Sequence, residues 1–131
     1  MGSIDIDRSD PELLTVRFNG SVDDAQFQHY LDAVYARMKQ GKRYALMIDA
    51  LAAGVPPPTQ RRMQIDFTAK HQHEMAVCCG IAFAIAHPLV RGALTAILWF
   101  QPLPVECSIV GSVDEATNWC RAQLAGNRKA G

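Results

Sequence analysis

The run YALMID, Tyr44 to Asp49, decides the fold. A strand with one wet face alternates apolar and polar residues, and this run does not. Unbroken apolar character closed by an acid reads as a central strand covered on both faces, the kind found in parallel sheets. Parallel neighbours need crossover connections, so helices are expected before and after it.

Both flanks supply them. Upstream, Ser21 is positioned to cap a helix, with Asp24 three residues on. Phe27, Tyr30, Leu31, Val34, Tyr35 and Met38 then recur at helical spacing as one apolar face, closed at Gly41. Downstream, Gly54 and the prolines Pro56 to Pro58 lead into a second predicted helix, from Thr59 to about Ala76. GIAFAIA (80–86) repeats the buried-strand pattern. PLVRGALTAILWF (88–100) reads as a third helix, with Pro88 in its first turn and Pro102 and Pro104 past its end. VECSIVG (105–111) is a last strand. SVDEATNWCRAQL (112–124) is a last helix, with a capping box at Ser112 and Glu115. At the amino end, SIDIDRSD alternates and stops at Asp10-Pro11, and LLTVRFNG sets Leu14, Val16 and Phe18 on one side, which predicts a hairpin.

The order is therefore ββαβαβαβα. It predicts a single α/β domain over residues 1–131, with a mixed, mostly parallel sheet of about five strands, four helices and right-handed crossovers. The size of 131 residues, 49% hydrophobic and 20% charged, suits one folded domain. Thirteen basic residues balance thirteen acidic ones, so no net field draws in nucleic acid or acidic lipid. The basic cluster GNRKAG (126–131) is expected to be a frayed, solvated tail. GALTAILWF is too short to span a bilayer, so no membrane span is expected. The opening MGSIDIDRSD is polar and acidic, unlike a signal peptide, and Ile6 stands where myristoylation prefers Ser or Thr. Four cysteines without a C-x-x-C pair predict reduced thiols in a cytoplasmic protein.

In this element order, and in the segments LLTVRFNGSVDDAQFQHYL and YALMIDALAAG, the chain resembles a STAS domain over about residues 4–125. This is the SpoIIAA-like fold of anti-sigma-factor antagonists and sulphate-transporter tails, and the resemblance is to its divergent stand-alone bacterial branch. It implies a non-enzymatic regulatory or protein-interaction module. In antagonists of the phosphoswitch type, the corner after the third strand carries an Asp-Ser-Ser-Gly-like motif whose serine a partner kinase phosphorylates. Here the acid is present as Asp49, but the corner reads Leu51-Ala52-Ala53-Gly54. The usual serine is absent, and Thr59 is the one hydroxyl between Tyr44 and Phe67.

Several side chains are candidates for function. Thr59 is expected either to cap the second helix or to act as a switch whose phosphate would meet helix-terminal N–H groups with Arg61 and Arg62. Asp49 is expected to accept hydrogen bonds from the next turn, or else to serve as a site carboxylate. KHQHEMAVCC (70–79) offers His71, His73, Glu74, Cys78 and Cys79, but at no spacing of a zinc signature, so no metal and no cofactor are expected. Cys78 and Cys79 read as small core residues.

The third helix is apolar almost all round. Val90, Leu94 and Ile97 form one row, and Leu89, Ala93, Ala96 and Phe100 the next. Leu98 and Trp99 carry apolar surface towards Arg91 and Thr95. Either the helix is wedged among its neighbours or it presents an interface at Arg91, Thr95, Leu98 and Trp99. The partner would be another protein or a second copy in a homodimer. The alternative occupant is a small apolar or lipid-like ligand in a cleft near the second and third helices. An enzyme is the weakest expectation, since no nucleophile is paired with a base and no phosphate loop is present.

Overall fold

The computed structural model describes residues 2–130, with side chains to residue 126. The five strands lie in one sheet in sequence order: β1 (Ser3–Asp7), β2 (Leu13–Gly20), β3 (Tyr44–Ala53), β4 (Cys78–Ala84) and β5 (Cys107–Val110). β1 pairs antiparallel with β2, and every later pairing is parallel. The register aligns Ile6, Val16, Ile48, Phe83 and Ile109 as one apolar row across the whole sheet.

Strands that advance in one direction, joined by right-handed crossovers, must place every connecting helix on the same face. Accordingly α1 (Asp24–Lys39), α2 (Pro58–Lys70) and α3 (Pro88–Phe100) share one side. α4 (Val113–Ala130) follows the last strand, is bound by no crossover, and covers the other side.

The two faces differ in side-chain size. On β3 and β4, Tyr44, Leu46, Ile48, Ile81 and Phe83 point towards α1–α3. Ala45, Met47, Cys79, Ala82 and Ala84 point towards α4, where Ala116, Cys120 and Leu124 meet them. A bulge at Cys79-Gly80, opposite Ala45, brings the Gly80 backbone up to the Trp119 ring, where a Cβ would lie 2.8 Å from ring carbon. On the α4 side small sheet residues such as Gly80, Ala82 and Ala84 therefore let the helix approach closely, and the α1–α3 side has larger ones.

Several boundaries differ from the sequence reading for identifiable reasons. The cap of α1 is Asp23 rather than Ser21: its carboxylate accepts from Gln26 N at 2.7 Å, and Gln26 Oε1 accepts from Asp23 N at 2.9 Å. α2 stops at Lys70 rather than near Ala76, and a 3-10 turn (Glu74–Val77) leads into β4. The His71 ring ends the helix by packing on Tyr35 and Phe67, at 4.5 and 4.7 Å between centroids, and pairing with Glu74 at 2.6 Å. α4 continues to Ala130 instead of ending near Leu124, with Ser112 Oγ accepting from Glu115 N as expected. The side chains of the basic tail cluster lie outside the described residues. On α3 the buried row is Val90, Ala93 and Ile97, while Leu94, expected to join it, is half-buried.

Candidate functional site

Large residues on the sheet and helices arching over them leave a cavity of about 140 Å³ between the sheet and α1–α3. Leu46, Ile48, Ile81 and Phe83 form its floor, Val90, Leu94 and Ile97 of α3 one wall, and Phe27 and Tyr30 of α1 another. Gly54, Val55, Pro56 and Pro57 stand at the rim, where Val55 is 43% exposed. Gly54 packs closely there: a Cβ would crowd the Ser21 hydroxyl, which can rotate away, and would lie 3.1 Å from Ser21 N and 3.3 Å from Gly20 C, so the backbone would have to give slightly.

The α2 wall carries a polar row beside Phe67. Gln60, Gln64 and Thr68, one residue per turn, face the cavity with Gln60 and Thr68 almost wholly buried. Each has partners. Gln60 Nε2 donates to Val22 O at 2.8 Å and to Asp24 Oδ1 at 3.1 Å. The Tyr30 hydroxyl donates to Gln64 Oε1 at 2.9 Å, and Gln64 Nε2 reaches Thr68 Oγ1 at a long 3.4 Å. Burial holds the Tyr30 and Tyr44 phenols well above their ordinary range, so both stay neutral donors. Sequence reasoning missed this stripe. Its signal was the i, i+4, i+8 row of Gln60, Gln64 and Thr68 in a helix whose apolar faces were ambiguous.

The corner residues take other places. Thr59 does not cap α2. Pro57 is the N-cap, extended at ψ 164° because the residue before a proline is kept out of the helical region, and Pro58 occupies the first turn. Thr59 is therefore inside the first turn, exposed, with no cap bond made at that end. Thr59→Ala is expected to change stability by less than about 0.5 kcal/mol, where loss of a cap costs about 1 kcal/mol. Thr59→Asp should add about 0.5 kcal/mol by meeting the positive helix end. Urea titration of the two variants checks this, and a Thr59→Ala loss above about 1 kcal/mol would restore the cap.

Asp49 lies on the opposite face from the cavity. Its buried carboxylate accepts from Arg17 Nε at 2.9 Å and from Leu51 N at 3.2 Å, tying β2 to the middle of β3, which runs past the acid to Ala53. Arg62 pairs with Asp66 on the surface at 3.3 Å, and Arg61 is half-buried on the same turn.

On α3, Arg91, Thr95 and Trp99 form one exposed row, and the Thr95 hydroxyl donates back to Arg91 O at 2.8 Å. Leu98 turns inward and lines the cavity instead. Leu89, Trp99 and Phe100 are 66%, 84% and 77% exposed, a large apolar area for so short a helix.

Of the histidine and cysteine segment, His71, Met75, Cys78 and Cys79 are buried, while His73 is exposed. A hydrogen bond from His71 holds the Glu74 carboxyl below its usual range. Burial pushes the Cys78 thiol up to about 12, and Cys107 and Cys120 to about 11, the reverse of what a nucleophile needs. Among the described residues, no three His, Cys, Asp or Glu side chains converge on a point that could hold a metal, and no helix is long and apolar enough to cross a membrane.

No protein-family model matches the chain, and no curated protein matches it by sequence. Solved structures do match in shape. A protein of the DUF3478 family from Shewanella loihica, described as having a SpoIIAA-like fold, superposes with a TM-score of 0.65 at 17% identity, over 91% of this chain and 93% of that one. An anti-sigma factor antagonist from Mycobacterium paratuberculosis gives 0.61 at 18% identity, over 92% and 95%. The anti-sigma factor antagonist SpoIIAA in its unphosphorylated form gives 0.64 at 13% identity, over 92% and 97%. With one mixed five-stranded sheet, three helices on one face and one on the other, this chain has the SpoIIAA-like, or STAS, fold.

Proposed function

We propose that the chain is a non-enzymatic binding module that takes a small apolar ligand into the cavity beneath α2 and α3. The cavity itself carries this reading. A void of about 140 Å³ is close to the size, about 150 Å³, at which an apolar protein cavity takes up benzene. A fully enclosed empty void of this size would cost about 3 kcal/mol at the cavity coefficient measured in protein cores, and the opening at the Gly54–Pro57 rim lowers that figure. A ligand that fills it recovers much of that cost. Thermal unfolding with n-butylbenzene as the probe tests the reading. The wild type is expected to gain several degrees at saturation. Val90→Phe, which grows into the void, should be more stable alone and should lose the response. Wild-type protein indifferent to the probe would end this reading.

A second reading has its own support in the exposed Leu89, Trp99 and Phe100. A partner protein, or a second copy in a homodimer, covers this surface, with Arg91, Thr95 and Trp99 at its centre. Two structural neighbours are anti-sigma factor antagonists, which favours a regulatory role of this kind. Thr59, Arg61 and Arg62, in the first two turns of α2, are further candidates for contact with such a partner. The two readings are compatible, since α3 forms both the cavity wall and the exposed ridge.

A further inference from the structure

We infer that the cavity selects ligands whose polar group is uncharged: small neutral amphiphiles bearing a hydroxyl or carbonyl, set against the Tyr30, Gln64 and Thr68 row. This rests on the apolar-ligand reading above and adds the chemical class to it. Three observations carry it. The first is the lining, which contains no Asp, Glu, Lys, Arg or His side chain. An ion brought inside would lose its hydration and meet no countercharge, a cost far above that of a neutral polar group that finds a hydrogen bond.

The second is the polar row itself. Tyr30 hydroxyl, Gln64 amide and Thr68 hydroxyl supply neutral donors and acceptors in a line along the α2 wall. The Gln64–Thr68 bond, at 3.4 Å, is the longest of the row and the one most easily exchanged for a bond to a ligand. The third is a carboxylate beside the polar wall. Asp24 accepts from Gln60 beside the cavity, so a negative head group there would meet repulsion. The opposing feature is the first turn of α2, where Arg61 and Arg62 lie. Neither lines the cavity, and Arg62 is already paired with Asp66.

The test compares probes of equal chain length on the intact protein: octan-1-ol, octanoate and octylammonium at pH 8, with n-butylbenzene as a purely apolar control. Octan-1-ol is expected to bind at least tenfold more tightly than either ion. Octanoate should bind more tightly as the pH falls through the ordinary carboxylic range of about 4 to 5, where it becomes neutral. Thr68→Val, nearly the same shape, should weaken octan-1-ol about fivefold and leave n-butylbenzene unchanged. Octanoate matching octan-1-ol at pH 8, with the advantage lost in an Arg61→Gln, Arg62→Gln protein, would overturn the inference and leave the apolar-ligand reading standing. Equal binding of octylammonium and octan-1-ol would overturn it in the same way. If n-butylbenzene and octan-1-ol both fail to bind, the ligand reading falls and the inference falls with it.

Discussion

Ala82→Leu should destabilise the protein by about 3 kcal/mol, while Ala50→Leu, the same chemical change on the neighbouring strand, should cost less than about 1 kcal/mol. Both alanines are buried. Ala82 points at α4, where Ala116 and Cys120 are wholly excluded from solvent and leave no room for three more carbons. The added side chain must push the helix away or take a strained rotamer. Ala50 points the other way and lines the cavity, so its extra carbons enter space that is already open. Urea unfolding of both variants gives the comparison through the shift in midpoint at constant slope. Equal losses would mean that the two faces are packed alike. Ala50→Leu should also blunt the response to n-butylbenzene, for the same reason as Val90→Phe.

Ile97→Glu and Trp99→Glu should differ still more, although they sit two residues apart on α3. Ile97 is 8% exposed, and a carboxylate there loses apolar contacts and meets no counterion, at a cost of about 4 kcal/mol or more. That is enough to unfold much of a marginal domain. Trp99 is 84% exposed, so the same change should leave folding stability within about 0.5 kcal/mol of wild type. Its effect should appear in association instead. Sedimentation is expected to show wild-type protein self-associating and Trp99→Glu as a monomer, with circular dichroism unchanged. A wild type that stays monomeric at high concentration would remove the homodimer and leave a partner protein as the occupant of the ridge.

Much of the fold was legible in the chain because its strands carry size as well as polarity. Tyr44 to Asp49 told of a strand buried twice, and the Phe27 to Met38 row fixed the face of α1. The alternation of large and small within those apolar runs (Leu46, Ile48 and Phe83 against Ala45, Ala82 and Ala84) was present too, but hydrophobic pattern alone treats Ala and Leu as equals. The end of α2 was misjudged because His71 stops it through contacts with Tyr35 and Glu74, one distant in sequence and one beyond the helix. The Thr59 cap was misjudged because the conformational limit imposed by Pro58 acts on Pro57 and moves the helix start forward. The site was half legible. A cleft near the second and third helices was the alternative to an interaction surface on α3, and the cavity has walls from both helices. Its polar wall was not, because Gln60, Gln64 and Thr68 read as surface residues until α1 and the sheet are placed over them.

The contrast between the two sides of the sheet has a mechanical consequence. Hydrostatic pressure favours whichever state occupies less volume, and internal void is the main volume that a folded protein can give up. Among the described residues, the cavity lies between the sheet and α1–α3. Compression should therefore loosen α1, α2 and α3 from the sheet while β3, β4 and α4, already in close contact, stay together. The SpoIIAA-like scaffold of this chain thus divides into a stiff half and a compliant half along the plane of its own strands, and filling the compliant half would make the whole more nearly incompressible.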